Sequence, residues 1–219
     1  MVTFDDVKNN EEIRTCIERG NELLGYIGFT EHSFVHAGRV SQTAAYILTE
    51  LGYNARETEL GRIAGYIHDI GNMINRYDHA QSGGVLAYEI LRRMGMPYDE
   101  IATVAAAVGN HDEGTGNAVS PVSAALILAD KADVRRSRVR RQNVTEYDIH
   151  DRVNYAVERS DILIDKENNR IILDMDIDTE ISSVMDYFEI FLGRMVMCRK
   201  AATFFKMEFH IMANGTKIL

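Results

Sequence analysis

The chain has 219 residues, 46% of them apolar and 26% charged, and a formal charge of −9. That suffices for one large domain, or a domain with a small appendage, to bury a core without disulfides. The charge disfavours broad, non-specific binding to nucleic acid, so no nucleic-acid partner is expected.

Cys16 and Cys198 are far apart and form no C-x-x-C pair, which argues against a disulfide framework or a zinc ribbon. The start, MVTFDDVKNN, is acidic and polar and lacks the basic and apolar stretches of a signal peptide. No apolar run approaches the roughly 18 residues of a membrane span. The expected setting is cytoplasmic and reducing, without a membrane partner.

Residues 1 to about 155 read as helices separated by short turns. Over 34–51, His36, Val40, Thr43, Ala44, Ile47 and Leu51 fall on one helical stripe, and Gly52 stops it. Over 57–70 the stripe is Leu60, Ile63, Ala64, Ile67 and His68, ended by Gly71 and Asn72. A third helix, 78–95, aligns His79, Ser82, Gly83, Leu86 and Ile90. Pro97 suits the first turn of a fourth, in which Val104, Ala107, Val108 and His111 share a face. After the loop DEGTGNAVSP, the run SAALILADKADV predicts an apolar helix continuing through Arg135, Arg136, Arg138, Arg140 and Arg141.

Past Ser160 the period changes. ILID and RIILDMDID alternate with period two around a Glu-Asn-Asn turn and predict a hairpin. A helix is expected from about Thr179, then an alternating FKMEFHIM, then a tight turn at Asn214-Gly215. The fold class is therefore mainly α: a helical bundle over 1–158, and a small antiparallel sheet plus helix over 159–219. The appendage has three candidate duties, which are dimerisation, substrate selection and capping, and a homodimer is among the expected assemblies.

Four of the seven histidines, His36, His68, His79 and His111, sit on stripes that are otherwise apolar, and Asp69 and Asp130 join them. Burying so many polar groups is unfavourable unless something common satisfies them. Ligands projecting inward from facing helices onto a metal would do so. The nitrogen and oxygen donors suit one or two divalent ions per chain, and iron, manganese, zinc, magnesium and nickel all remain open. His68 and Asp69 are adjacent, so on a helix their side chains diverge by about 100°. They share one centre only near a helix end, where Gly71 lets the chain turn away; alternatively, Asp69 bridges two ions.

The order His36, His68-Asp69, Asp130, set in HAGRV, AGYIHDIGN and LADKADVRRSRVR, resembles the H…HD…D pattern of the HD superfamily of metal-dependent phosphohydrolases. The resemblance covers roughly residues 30–142 and implies an HD-type helical bundle. It implies that His36, His68, Asp69 and Asp130 hold one metal, and that Asp69 bridges to a second carried by His79 and His111. Asp69, His68 and Lys131 would be the catalytic groups, with a metal-bound hydroxide attacking a small phosphate ester or nucleotide. Asn72 stands where the branch that cleaves cyclic dinucleotides carries a lysine, which disfavours that substrate. Symmetrical hydrolysis of diadenosine tetraphosphate remains one candidate. Some HD-fold proteins carry the same ligand list around a di-iron centre that activates dioxygen, so an oxygenase is the first alternative and a non-catalytic nucleotide sensor the second.

On a continuous helix, Arg138 and Arg141 would lie within about 80° of Asp130. With Arg135 they are the expected phosphate contacts, since guanidinium pairs with phosphate in a bidentate manner. Behind the ligands, His32 stands one turn before His36, Asn72 follows the doublet and Asp112 follows His111; these are the expected supporting groups.

Overall fold

A computed structural model describes residues 1–140 and 147–219. Two helices the sequence reading left unbounded open the chain: α1, Phe4–Asn9, and α2, Glu11–Tyr26. Thr3 and Asp6 close a capping box on α1, and Asn10 caps α2 through the Ile13 amide. Next come α3, Phe34–Glu50, capped by Ser33, and α4, Ala55–Ile67, whose Asn54 and Glu57 form a second capping box. After a 3-10 turn over Ile70–Met73 follow α5, His79–Arg93, and α6, Tyr98–Gly109, with Pro97 as its cap residue. The next helix, α7, spans Pro121–Ala132. All its residues from Val122 to Ala129 are buried, so it is apolar all round and runs through the middle of the bundle. It packs against α3, α4 and α6.

The sequence predicts that helix α7 continues through Arg135, Arg136, Arg138 and Arg140, and it does not. The helix stops at Ala132, and Asp133 leaves the helical region with φ −81° and ψ 69°. Among the described residues that follow before position 141, a short 3-10 turn, Arg136–Arg138, replaces the helix. Ser160 Oγ donates to the Ala132 carbonyl at 2.6 Å, satisfying one of the helix's terminal acceptors.

Helix α8, Ile149–Ala156, leads into β1, Val157–Asp165, and β2, Arg170–Ile177. Helix α9, Val184–Phe204, then carries the chain to β3, Glu208–Ala213, and β4, Thr216–Lys217. The sheet order is β1-β2-β3-β4. The outer pairs are antiparallel, but β2 and β3 run parallel, joined across α9. The sheet is thus mixed rather than wholly antiparallel: α9 returns the chain to the end where β2 began. Ile171, Leu173 and Met175 of β2 register with Phe209, Ile211 and Ala213 of β3, and all six are buried. One continuous apolar cluster includes these residues, α9 and the helices of the bundle. No helix of the described residues is long and apolar enough to cross a membrane.

Candidate metal centre

The two histidines His36 and His68 arrive from neighbouring helices, α3 and the end of α4. Helix α4 ends at Ile67, and Asp69 already has φ −98° and ψ 5°. That turn brings His68 Nε2 and Asp69 Oδ2 to 3.2 Å in spite of their adjacency. Gly71 makes the turn fit: a Cβ there would lie 2.0 Å from the His79 carbonyl oxygen and 2.6 Å from the Gly83 nitrogen. Asp78 adopts a left-handed conformation, φ 58°, immediately before α5, placing His79 at the helix's first position. His111 sits just past the end of α6 and Asp130 lies in the last turn of α7.

These six side chains form two lobes that share Asp69. His36 Nε2 and His68 Nε2 stand 3.2 Å apart, 3.4 and 3.5 Å from Asp130 Oδ1, and 3.5 and 3.2 Å from Asp69 Oδ2. In the other lobe His79 Nε2 and His111 Nε2 are 3.1 Å apart and lie 3.4 and 3.7 Å from Asp69 Oδ1. With metal–ligand bonds of about 2.1 Å, neighbouring donors fall about 3.0–3.4 Å apart in octahedral or tetrahedral geometry. The donor spacings therefore suit a cation in each lobe.

The far side of each ring fixes which nitrogen points inward. His68 Nδ1 lies 2.9 Å from the Gly65 carbonyl oxygen, His79 Nδ1 3.0 Å from that of Arg76 and His111 Nδ1 2.6 Å from that of Val108. A carbonyl only accepts, so each Nδ1 carries the proton and each Nε2 lone pair faces the centre. His36 Nδ1 donates to Asp133 Oδ2 at 2.7 Å. Backing acceptors of this kind orient metal-ligating histidines and raise their basicity. Lone pairs and carboxylates packed this closely repel one another unless positive charge lies among them. Burial opposes charge on His68, yet Asp69 and Asp130 raise its pKa to about 10. Burial, with His68 and Lys131 nearby, pushes His111 down to about 4 despite Asp69. Burial pushes the carboxyls of Asp69 and Asp130 upward, but the histidines, and Lys131 beside Asp130, hold both well below the usual range.

The residues expected behind the ligands divide. Asn72 Nδ2 donates to Asp69 Oδ1 at 2.9 Å, and His32 Nε2 lies 4.0 Å from Asp69 Oδ2. Asp112 Oδ2 instead accepts from the Gly114 amide in its own loop, 3.3 Å away. Lys131 is buried, with Nζ 2.7 Å from Asp130 Oδ2 and 3.5 Å from Glu113 Oε1.

A narrow polar cavity of about 20 Å³ opens beside the cluster and has Arg76, Lys131, Arg138 and Arg194 in its walls. Of the expected phosphate contacts among the described residues, Arg135 and Arg138, the second lines it. Its guanidinium is 4% exposed and donates to the carbonyls of Glu31 and Asp133, 2.9 and 2.7 Å away. Arg135 is turned away: it bonds Asp133, Glu31 and Ser137. Both placements follow from the early end of α7, which removes the helical register that would have aimed these side chains alongside Asp130. Arg141 lies outside the described residues.

Sequence reasoning did not single out Arg76, Arg194 or the buried Asp133. Asp133 also pairs with Arg39 and Arg135, and stays ionised against burial through His36 and Arg138. Its place three residues after Asp130, a helical turn's spacing in the sequence, was the available signal.

The family model for the HD domain matches residues 33–138. An uncharacterized protein of Methanocaldococcus jannaschii is 24% identical over 182 residues, 73% of this chain and 70% of its own length. Ribonuclease Y of Thermus thermophilus is 29% identical over 164 residues, 64% of this chain, but the match spans only 26% of that protein. A crystal structure of a predicted HD superfamily hydrolase from an uncultured Thermotogales bacterium aligns with a TM-score of 0.45 at 25% identity, over 57% of this chain and 67% of the other.

Proposed function

Residues 33–138 belong to the HD superfamily, and from that premise we propose that the protein is a metal-dependent phosphohydrolase acting on a small phosphate ester or nucleotide. The observation that carries this reading is the position of Asp69. It turns one oxygen to His36 and His68, which also face Asp130, and the other to His79 and His111. Divalent ions held there would supply Lewis acidity toward a phosphoryl oxygen and an activated water.

The remaining work falls to the chain itself. Arg76 and Arg194 stand in the cavity wall with nitrogen donors suited to equatorial phosphoryl oxygens. Lys131 balances Asp130 and adds positive charge at the cavity floor. Asn72 holds Asp69 in its two-sided orientation, while the backing acceptors keep every Nδ1 proton away from the centre. A net charge of −9 favours a small substrate over a polyanionic one.

The test is phosphate release from aryl phosphates and nucleoside phosphates by protein loaded in turn with manganese, iron, cobalt, nickel and zinc. The native protein should release phosphate with at least one of these ions, and Asp69→Asn should not. Substrate-dependent oxygen consumption without phosphate release would overturn the reading.

A further inference from the structure

A second hollow, of about 300 Å³, adjoins the metal cavity. It lies among the loop after α2, the start of α8 and one face of α9, and Phe29, Thr30, His150, Asn154 and Phe191 are among its walls. His32, Arg76 and Arg194 line both spaces, so these side chains form the border between them.

The seam is held in place by stacking. The Arg76 guanidinium carbon lies 5.4 Å from the centre of the Phe29 ring, and that of Arg194 lies 4.1 Å from the centre of Phe191. Arg194 Nε also donates to Glu113 at 3.0 Å. Each arginine therefore has a cation at the border of the metal cavity and an aromatic neighbour in the hollow. A phosphate gripped between the two arginines would project whatever it is esterified to away from the metal ligands and into the hollow. The walls there mix rings with an amide, a hydroxyl, an imidazole and the carboxylates of Asp148 and Asp151, which suits a planar group whose polar edges include hydrogen-bond donors better than an aliphatic chain.

We infer that this hollow binds the organic half of the substrate, a ring system attached to the phosphate, and that α9 of the C-terminal part supplies specificity through Phe191 and Arg194. The inference rests on the phosphohydrolase reading above, since it takes the phosphate to sit in the metal cavity.

Calorimetry on manganese-loaded protein with two non-hydrolysable probes, methylphosphonate and phenylphosphonate, tests it without turnover. The readout is the ratio of their affinities. Phenylphosphonate should bind about tenfold more tightly or better, in keeping with burial of a ring. His150→Trp, which fills the hollow from an exposed position on α8, should bring the ratio toward one. Thr30→Trp fills it from the opposite wall and should do the same, so that one poorly folding variant leaves the test intact. A native ratio near one, or a ratio that neither substitution changes, overturns this inference and leaves the phosphohydrolase reading standing. If neither phosphonate binds, both fall together.

Discussion

His36 and Asp133, 97 positions apart, share a 2.7 Å hydrogen bond that turns the His36 ring so its other nitrogen faces His68 and Asp130. Asp133 in turn holds Arg39 and Arg135 by ion pairs at 2.9 and 3.0 Å. Replacing it by alanine should loosen the His36 ring and leave those cations without their carboxylate. Metal affinity should fall about 10- to 100-fold, as for other outer hydrogen-bond partners of ligating histidines. Competition with a fluorescent chelator measures this, and an unchanged affinity would refute the assigned part of Asp133.

Gly71 is the tightest point of the backbone near the cluster. Gly71→Ala should destabilise the protein by about 1–3 kcal/mol or more, because the methyl group would meet backbone on both sides. Gly38, on α3, has nothing within 4 Å of an added Cβ. Gly38→Ala should therefore stabilise by about 0.5–1 kcal/mol through helix propensity. Urea denaturation of the two variants should give opposite signs.

Arg56 pairs with Glu100, joining α4 to α6, and also reaches Glu59 at 2.5 Å. Arg56 holds the Glu100 carboxyl below its usual value. A depressed carboxyl contributes stability that is fully present above its unfolded pKa, near 4.3, and is lost as pH falls through the folded value. Glu100→Gln should thus cost about 1 kcal/mol at pH 7. The gap from the native protein should close below about pH 4. A gap that widens in acid would contradict the pairing.

Glu113 lies between two cations of the cavity, 3.0 Å from Arg194 Nε and 3.5 Å from Lys131 Nζ. A phosphate entering the cavity must compete with it. Glu113→Gln should tighten methylphosphonate binding several-fold, and Arg194→Gln should weaken it, both read by calorimetry. Weaker binding in Glu113→Gln would show that Glu113 positions the cations rather than competing for them.

The parts of this protein legible in its sequence are those set by local rules. Apolar stripes at helical spacing, stopped by Gly52, Gly71 and Gly95, gave α3 to α6 to within a few residues. The histidines stood out because they occupy positions on those stripes where water is excluded. The end of α7 was not legible, since no glycine or proline marks it. Asp133 departs from the helix where its side chain meets His36, a residue remote in sequence. Arg76 and Arg194 were missed for a related reason: their place in the cavity depends on how the loop before α5 and helix α9 pack around it, and their spacing in sequence leaves no pattern. The parallel pairing of β2 with β3 was likewise hidden, because alternation identifies a strand's two faces and says nothing of its partner's direction.

The central claim is that Asp69 sits between two cation sites, and metal content per chain tests it most directly. Elemental analysis of protein purified without oxygen and without chelating resin should find two transition-metal ions per chain, falling to one in His79→Ala and His111→Ala. A protein that holds no metal as purified, and takes up none on titration, would contradict the account, leaving the histidines and carboxylates to satisfy one another with protons alone.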